Sequence, residues 1–560
     1  MGFEQMIKEK SQVHYGPEMT HGWVLDINGR FANKKLYRCE AGPEWLALQL
    51  GHNGDWLWLS WDSRCCGMAL IDRHELEILK DLKNKTHPIF GVVKSHIVGG
   101  SLVRAFQLNR DRVLVLEFSR PLGAGVDVSR FIVFEATGRQ ANLIILDDKE
   151  KVIETAKHVH PEINRYRSIL PGLPYVSPPP FSGPDVENFS KEDMANLKRY
   201  RGIGTTLAGI LSKEWENKFL DFEPYLQRLY SLPLRELICQ DIDGYLTVFP
   251  IILDKALKCD ETPLLFSRKI LFQLFSRERE AMLQQIYKIL DSDRRRLMHK
   301  IRGLSNLISM VEKAEKWNHY GTLLVSYAHE VRKGSSLVKL RSWEERFGTV
   351  EIELDPKLSP IENAKRYFNL AKKYHRDQEK LQREMETLQA SIRELDEYRD
   401  FVSILTDISD IKKILDDFTF NGIGTEDSKR KKKYTPPHKR FDLKGGYIVY
   451  VGLNAKANRY VTFEVASPED IWFHAKEVSG SHVILKLSGN EVNDRLVEFA
   501  ASLAAYYSKA KNTSYHIVDY TLRKHVKALP KSGPGHVTYT NFSSIRVSPN
   551  LWFELLKELS

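Results

Sequence analysis

Two stretches of the chain repeat an apolar residue every seven positions. In the first, Leu290, Leu297, Leu304 and Val311 recur, with Ile286 and Leu307 in a companion row that Asp293 and Lys300 interrupt. In the second, Leu381, Leu388, Leu395 and Val402 recur, with Met385 and Ile392 between them. This four-three spacing is the seam of a coiled coil. Two amphipathic helices packed on a globular core would be the alternative. The narrow seam and its charged flanks (Arg393, Glu394, Asp396, Glu397) favour the coiled coil. Residues 271–420 hold only four Gly and two Pro, so helix can run through most of them. The spacing predicts an antiparallel hairpin of helices over 271–420, with an insert at 318–360.

The flanking regions read differently. Over 1–185 the pattern is β-rich, with expected strands at Gly22–Asp26, Trp45–Leu50, Trp56–Leu59 and Arg112–Phe118. A hairpin is expected between Phe131–Phe134 and Ala141–Asp147, turning at Gly138, and a short helix over Asp72–Leu82. The Pro-rich run Leu170–Pro184 predicts an extended strap. Residues 186–240 hold a helix, Gly-Ile-Gly turn and helix. Residues 241–270 add a connecting strand, Gly244–Pro250, expected to return to the first sheet. A basic linker spans 421–440. The last domain, 441–560, alternates strands (Tyr447–Val451, Tyr460–Val465, Ile471–His474, Ser481–Leu485) with a helix striped by Leu496, Phe499, Ala500, Leu503, Ala504 and Tyr507, and is α+β. The fold class expected is thus multidomain α+β.

Composition excludes several classes. With 42% apolar residues and 28% charged, the 560-residue chain can fill more than one core and is neither a disordered nor a collagen-like polymer. No apolar run approaches the roughly 20 residues that span a bilayer. The start, MGFEQMIKEK, has no apolar signal region, and Gly2 lacks the downstream Ser/Thr of a myristoylation site. The five cysteines include the adjacent pair Cys65–Cys66 and form no CxxC, which points to a reducing cytoplasm rather than a disulfide scaffold or zinc ribbon. A net charge of +10 and a pI near 9.0 favour an anionic partner.

Three features could carry binding or chemistry. In Arg201-Gly202-Ile203-Gly204, two glycines before a helix N-terminus leave backbone N–H groups open to a phosphate, with Lys198, Arg199 and Arg201 beside them. This is similar to a helix-hairpin-helix nucleic-acid module, although such turns also join helices for steric reasons. Seven Lys/Arg within 429–440, including Lys431, Lys432 and Lys433, could neutralise phosphates, or simply form a solvated linker or an import signal. His474 and His482, near Lys476, could serve general acid–base cleavage of RNA or bind metal, but no third group accompanies them. Contacts within a strand pair or to a base are the plainer reading. There is no GxSxG elbow and no Walker-A loop.

The last domain resembles the RNA-binding module of the NFACT family. The matching residues run through Gly445-Gly446-Tyr447, Val451-Gly452-Leu453-Asn454, Thr462-Phe463 and Asp470–Lys476. They continue through Gly480-Ser481-His482-Val483-Ile484, Ala504–Lys509 and Gly533–Val537. Upstream, Leu354–Pro360, Asn363-Ala364, Tyr367-Phe368, Gly321–Leu324, Leu170–Tyr175 and Gly138-Arg139 with Asn142 extend the likeness. The resemblance implies a β-rich N-terminal domain, a helix-hairpin-helix module, a long antiparallel coiled coil and a C-terminal α+β domain.

The same resemblance implies a cytoplasmic ribosome quality-control factor. Such a factor binds the 50S subunit with an obstructed nascent chain-tRNA, recruits tRNA (alanyl in the bacterial family) and promotes mRNA-independent tailing. The ribosome makes the peptide bond. No catalytic residue, cofactor, metal or membrane contact is then expected, and the chain would act as a monomer on the ribosome. The family's Asp-Arg pair needed for tRNA falls on Asp111-Arg112. With it we expect Arg139, Lys198, Arg201, Gly202 and Gly204 to bind tRNA. Lys431, Lys432, Lys433, Asn454, Trp472, His474, Lys476, Ser481 and His482 are expected to bind RNA. Glu4 stands where the family has Asp, and Leu453 and Ala455 depart from its Gly-Arg-Asn-Asn. Gly2 replaces the proline nucleophile of the fold-related DNA glycosylases, which argues against that activity. A fibronectin-binding adhesin and an RNA-processing nuclease using His474 and His482 are the rival expectations.

Overall fold

A computed structural model describes residues 13–559 apart from 53, 83–84, 124–125, 219–220, 344–347, 375–377, 423–434, 488, 490 and 530–534. The chain divides into two compact units, meeting in sequence at Ala281 and Met282.

The first unit opens on helix Pro17–Phe31, with Pro at its first turn. Gly22–Asp26, expected as a strand, lies inside it. Met19, Trp23, Ile27 and Phe31 recur every four residues and are all buried, so the helical period decides over the short apolar run. Trp23 is anchored by its indole N–H to Ser267 Oγ at 2.8 Å. Four strands (Leu36–Ala41, Trp45–Leu50, Trp56–Ser60, Gly67–Ile71) follow as a meander in sequence order. Helix Arg73–Leu82 starts with a reciprocal cap, Asp72 and Glu75 each accepting the other's backbone N–H at 2.9 Å.

A second meander has five strands: Ser101–Gln107, Val113–Gly123, Val126–Glu135, Asn142–Leu146 and Val152–Thr155. The expected hairpin is present, with Val133 opposite Ile144 and a 3-10 turn at Gly138–Gln140. On this sheet the buried Glu135 takes a two-pronged pair from Arg167 (2.5 and 2.7 Å) and a hydrogen bond from the Tyr175 hydroxyl (2.8 Å). That triad ties down the start of the Pro-rich strap.

Tyr245–Phe249 is a strand, but it does not join the first sheet. It lies parallel to His14–Tyr15 and antiparallel to Ile238–Ile242, in a separate four-stranded sheet completed by Leu257–Cys259. The partner at the N-terminus is more than 200 residues away, so no local pattern marks it.

The second unit contains helix Arg268–Ser326 from Met282 onward and helix Gln378–Ile404. Arg294 pairs with Asp396 at 3.1 Å and Arg399 with Asp291 at 2.5 Å, which fixes an antiparallel register. Leu304, Val311 and Leu381 pack in one cluster with Leu307, Ile308, Met385 and Leu388. The distal end carries hairpin Leu337–Arg341 with Thr349–Glu353 and helix Pro360–Tyr374 around Leu323, Leu324, Ile352 and Tyr367. Helix Arg268–Ser326 thus runs past 318, where the insert was expected to begin. The run Leu354–Ala364 is explained by its loop. Buried Asn363 accepts the Asp355 N–H at 2.8 Å and donates back to the Asp355 carbonyl at 3.1 Å, while Ser359 and Glu362 cap the next helix.

The C-terminal sheet has six antiparallel strands in the order His438–Asp442, Ile448–Gly452, Val483–Lys486, Ile471–Ala475, His516–Leu522, Ser543–Val547. Helix Asp494–Tyr506, capped by Asn493 at 2.9 Å, buries the predicted stripe against it. Tyr460–Val465, expected as a strand, is instead the end of helix Ala455–Tyr460 and a π-helical turn. Asn454 starts that helix by accepting the Ala457 N–H at 2.7 Å, so the cap overrides the β-branched run that follows.

Candidate nucleic-acid interface

In the first unit, the turn between Ser101–Gln107 and Val113–Gly123 carries Asp111 and Arg112. Asn109 and Arg110 both take positive φ there. The Asp111 carboxylate accepts the Arg112 N–H at 2.7 Å, which pins the turn rather than the guanidinium. Among the described residues the Arg112 guanidinium makes no hydrogen bond. It lies close to Tyr15, Cys66 and Tyr245. Burial pushes those hydroxyl and thiol groups up, and the Arg112 charge works against that rise. Arg139, exposed after the Gly138 turn, shares this corner through Cys66, whose thiol meets the Gly138 backbone.

The Gly-Ile-Gly turn lies beside it. Gln107 Nε2 donates to the Asp111 carbonyl at 2.7 Å and to the Pro17 carbonyl at 2.9 Å. Arg110 pairs with Asp185 (2.9 Å) and with Glu187, and its guanidinium covers the Tyr230 ring at 5.2 Å. Tyr230 donates to the Gly202 carbonyl at 2.6 Å. Asp185 in turn grips Arg201 by two bonds of 2.6 and 2.8 Å, and the Arg201 fork holds the Asp185 carboxyl below its ordinary range. Sequence reasoning missed Glu18, Gln107, Arg110, Asp185, Glu187 and Tyr230. Most of their contacts join segments distant in sequence, and none stands in a recognisable motif.

The phosphate cradle expected at Gly202–Gly204 is occupied from within. Glu18, fully buried, accepts from the Tyr245 hydroxyl, from Thr247 at 3.3 Å and from the Gly204 N–H at 3.4 Å. Burial raises the Glu18 pKa, and those donors oppose the rise. A Cβ on Gly202, at φ +96°, would stand 2.8 Å from the Tyr230 ring, so this glycine answers to a steric demand. The segment before the turn, Lys191–Arg199, is a 3-10 run, and only Thr205–Lys218 is α-helical. Lys198 is exposed at the end of that run. The structure therefore brings Asp111, Arg112, Arg139, Arg201, Gly202 and Gly204 into one region. Within it the Arg201 fork and the Gly204 N–H are engaged internally.

In the second unit the expected residues are also close together but differently employed. Trp472 is fully buried and joins a core cluster with Val461, Ile484 and Val526. Its ring is stacked with His474 (5.7 Å, 9°) and tilted against Tyr539 (4.9 Å), so its packing partners come from within the domain. His482 Nδ1 bonds Thr462 Oγ1 at 2.8 Å, and its backbone N–H donates to Asn458 at 3.0 Å. Ser481 donates to the Gly452 carbonyl, and Asn454 is spent as a helix cap. Burial lowers His474 to about 4 and His482 well below the ordinary imidazole value. Neutral at pH 7, they are poorly matched to general acid catalysis. Lys476 is half-buried beside them.

Lys431, Lys432 and Lys433 lie outside the described residues. The end of the basic run is not free for phosphate. Lys439 is half-buried between Asp407 and Asp410 (3.1 Å), and Arg440 pairs with its neighbour Asp442 at 2.6 Å. Among the described residues no helix is long and apolar enough to cross a membrane.

A β-rich first unit, a two-helix antiparallel pair and a C-terminal α+β sheet domain define the class: a multidomain α+β protein. Residues 19–217 and 210–436 match the family model for NFACT N-terminal and middle domains, and residues 438–539 match that for the NFACT protein RNA binding domain. The chain belongs to the NFACT family.

Among curated proteins it is 27% identical over 494 residues to the Rqc2 homolog RqcH of Bacillus subtilis (strain 168), covering 82% of this chain and 85% of that one. It is 27% identical over 483 residues to the Rqc2 homolog RqcH of Streptococcus suis (strain 05ZYH33), covering 82% and 84%. Among solved structures, the C-terminal part of the fibronectin/fibrinogen-binding protein from Streptococcus suis aligns at 24% identity and TM-score 0.32, over 50% of this chain and 98% of that one. The N-terminal part of the same protein aligns at 18% and 0.38, over 46% and 98%.

Proposed function

We propose that this chain is a ribosome quality-control factor. It binds the large subunit carrying an obstructed peptidyl-tRNA, recruits a tRNA of the alanyl type and promotes mRNA-independent tailing of the stalled chain. The reading rests on kinship with the RqcH proteins and on an RNA-binding domain.

The observation that carries it furthest is the Arg112 guanidinium. It is presented on a turn locked by Asp111 and Gln107, with no hydrogen-bond partner among the described residues. An Arg held this way offers a planar fork to a phosphate or a base edge. Arg139 and Lys198 add exposed positive charge in the same unit. Arg201 and Gly204 act as scaffold for that surface, because Asp185 and Glu18 already occupy them. In this reading the chain makes no bond itself. The helical arm supplies reach at about 1.5 Å per residue.

A pull-down from cells with sequencing of bound RNA tests the reading. Large-subunit RNA and one enriched tRNA are expected in the wild type. In Asp111→Ala/Arg112→Ala the tRNA is expected to be lost and the large-subunit RNA kept. Neither RNA in the wild type would overturn the proposal.

A further inference from the structure

Within the second unit a cleft of about 750 Å3 opens between the C-terminal sheet domain and the helical pair. Sites that enclose a small organic ligand run from roughly 300 to 1,000 Å3. On the helical side Leu297, Leu395, Phe401 and Phe418 line it. Leu297 and Leu395 are seam positions and lie opposite one another in the register set by Arg294–Asp396 and Asp291–Arg399. Unlike Leu304, Val311 and Leu381 they are only half-buried. The seam is unfilled at this level.

The opposite wall is aromatic and uncharged. Trp472 and His474 are stacked, and His482 meets both rings edge-on at 5.2 and 5.5 Å. Both imidazoles are neutral at pH 7, and a neutral imidazole carries one donor and one acceptor. The Trp472 Nε1–H is buried in this wall with no acceptor among the described residues. The rim is acidic: Glu394, Glu397, Asp417 and Glu477 face Arg296, which pairs with Asp293 at 3.2 Å, and Lys456. Such a rim repels a phosphate but not a neutral heteroaromatic ring.

We propose that the cleft between the Trp472–His474–His482 wall and the Leu297–Leu395 seam takes one unstacked nucleobase of single-stranded RNA, with its phosphates kept outside. The inference rests on the RNA-binding reading and adds a base pocket to it. Selection would come from the imidazole edges, and the acidic rim would admit a base only where the backbone can turn away, at a loop or a strand end.

Free nucleosides, which carry no phosphate, are the first probe, titrated calorimetrically into the full chain. Saturable binding with a preference among the four bases is expected. Ser479→Trp, which fills the mouth from an exposed lining position, is expected to weaken binding about tenfold or more without moving the melting temperature. A single-stranded oligoribonucleotide carrying one 2-aminopurine is expected to change its fluorescence on binding, and Ser479→Trp to abolish the change. An oligoribonucleotide that binds while no nucleoside does, with the 2-aminopurine signal unmoved, would overturn the pocket and leave the RNA reading intact. Binding of neither would overturn both. Nucleoside affinity unchanged in Ser479→Trp, or nucleoside displaced by a lower concentration of an arginine-rich peptide, would also overturn the proposal. The last result would give the acidic, aromatic cleft to a basic peptide.

Discussion

The Tyr230 hydroxyl donates to the Gly202 carbonyl at 2.6 Å while the face of the same ring lies under the Arg110 guanidinium. One side chain thereby joins the Gly-Ile-Gly turn to the turn that presents Arg112. Tyr230→Phe removes the hydrogen bond and keeps the ring. It is expected to cost about 1 kcal/mol in urea unfolding and to weaken tRNA binding with Arg112 itself intact. Unchanged tRNA affinity in this variant would mean that the two turns act independently.

Gly202 and Gly209 make opposite demands. Gly202 combines φ +96° with a Cβ position 2.8 Å from the Tyr230 ring, so Gly202→Ala is expected to destabilise the first unit by about 1–3 kcal/mol. Gly209 sits in helix Thr205–Lys218 with nothing within 4 Å of its Cβ position. Gly209→Ala is expected to stabilise by roughly 0.5–1 kcal/mol. Thermal melts of the two variants are expected to move in opposite directions.

Buried ion pairs offer a third check. Glu135 is fully buried and held by Arg167, Tyr175 and the strap. Arg167→Met leaves a carboxylate in the core with one hydroxyl for company, and a loss of about 3–5 kcal/mol is expected. Proteolysis within 170–184 should accelerate in parallel, because Arg167 also donates to the Val176 carbonyl at 3.0 Å. A stable variant with an unprotected strap would show that the triad's role is local only.

What was legible in the sequence was periodicity that extends over several turns. The seven-residue rows at Leu290–Val311 and Leu381–Val402 specify two helices, and the Leu496–Ala504 stripe specifies another. Short windows misled. Gly22–Asp26 is a short apolar run like a strand, but the four-residue spacing of Met19, Trp23, Ile27 and Phe31 appears only over a longer span. Val461–Val465 is β-branched yet is carried into helical geometry by the Asn454 cap. The candidate site was legible as residue types and not as partners. Glu18 fills the anion position at Gly204 from 186 residues away, and Lys439 is withdrawn from the basic run by acids 29 and 32 residues upstream.

The histidines of the cleft predict a pH dependence. Burial holds His474 at about 4 in the folded chain, against an unfolded value near 6.5. Between those values the unfolded chain binds the extra proton, so stability is complete above about pH 6.5 and is lost as pH falls toward 4. Solvent reaches the half-buried His474 ring, so its share is on the order of 1–3 kcal/mol rather than the full linkage value. His482, lowered further, adds in the same direction. Urea midpoints at pH 7.5 and pH 5 are expected to differ, and His474→Gln is expected to narrow the difference. An equal difference in that variant would place the acid sensitivity elsewhere.

The division of labour between the arginines gives the most direct test of the tRNA surface. Arg112 has no hydrogen-bond partner for its guanidinium among the described residues, whereas Arg201 is gripped by Asp185. Each phosphate neutralised by a cation adds roughly 0.7–0.9 to the slope of log affinity against log salt. Arg112→Ala is therefore expected to lower tRNA affinity, to reduce that slope by about 1, and to leave the melting temperature unchanged if its target is a phosphate. Against a base edge it would lower affinity and leave the slope alone. Arg201→Ala is expected to leave the slope unchanged and to lower the melting temperature, because it strands Asp185 with only Arg110. If Arg201→Ala instead reduced the slope with no loss of stability, the Asp185 fork would have to open on tRNA, and Arg201 would belong to the contact surface.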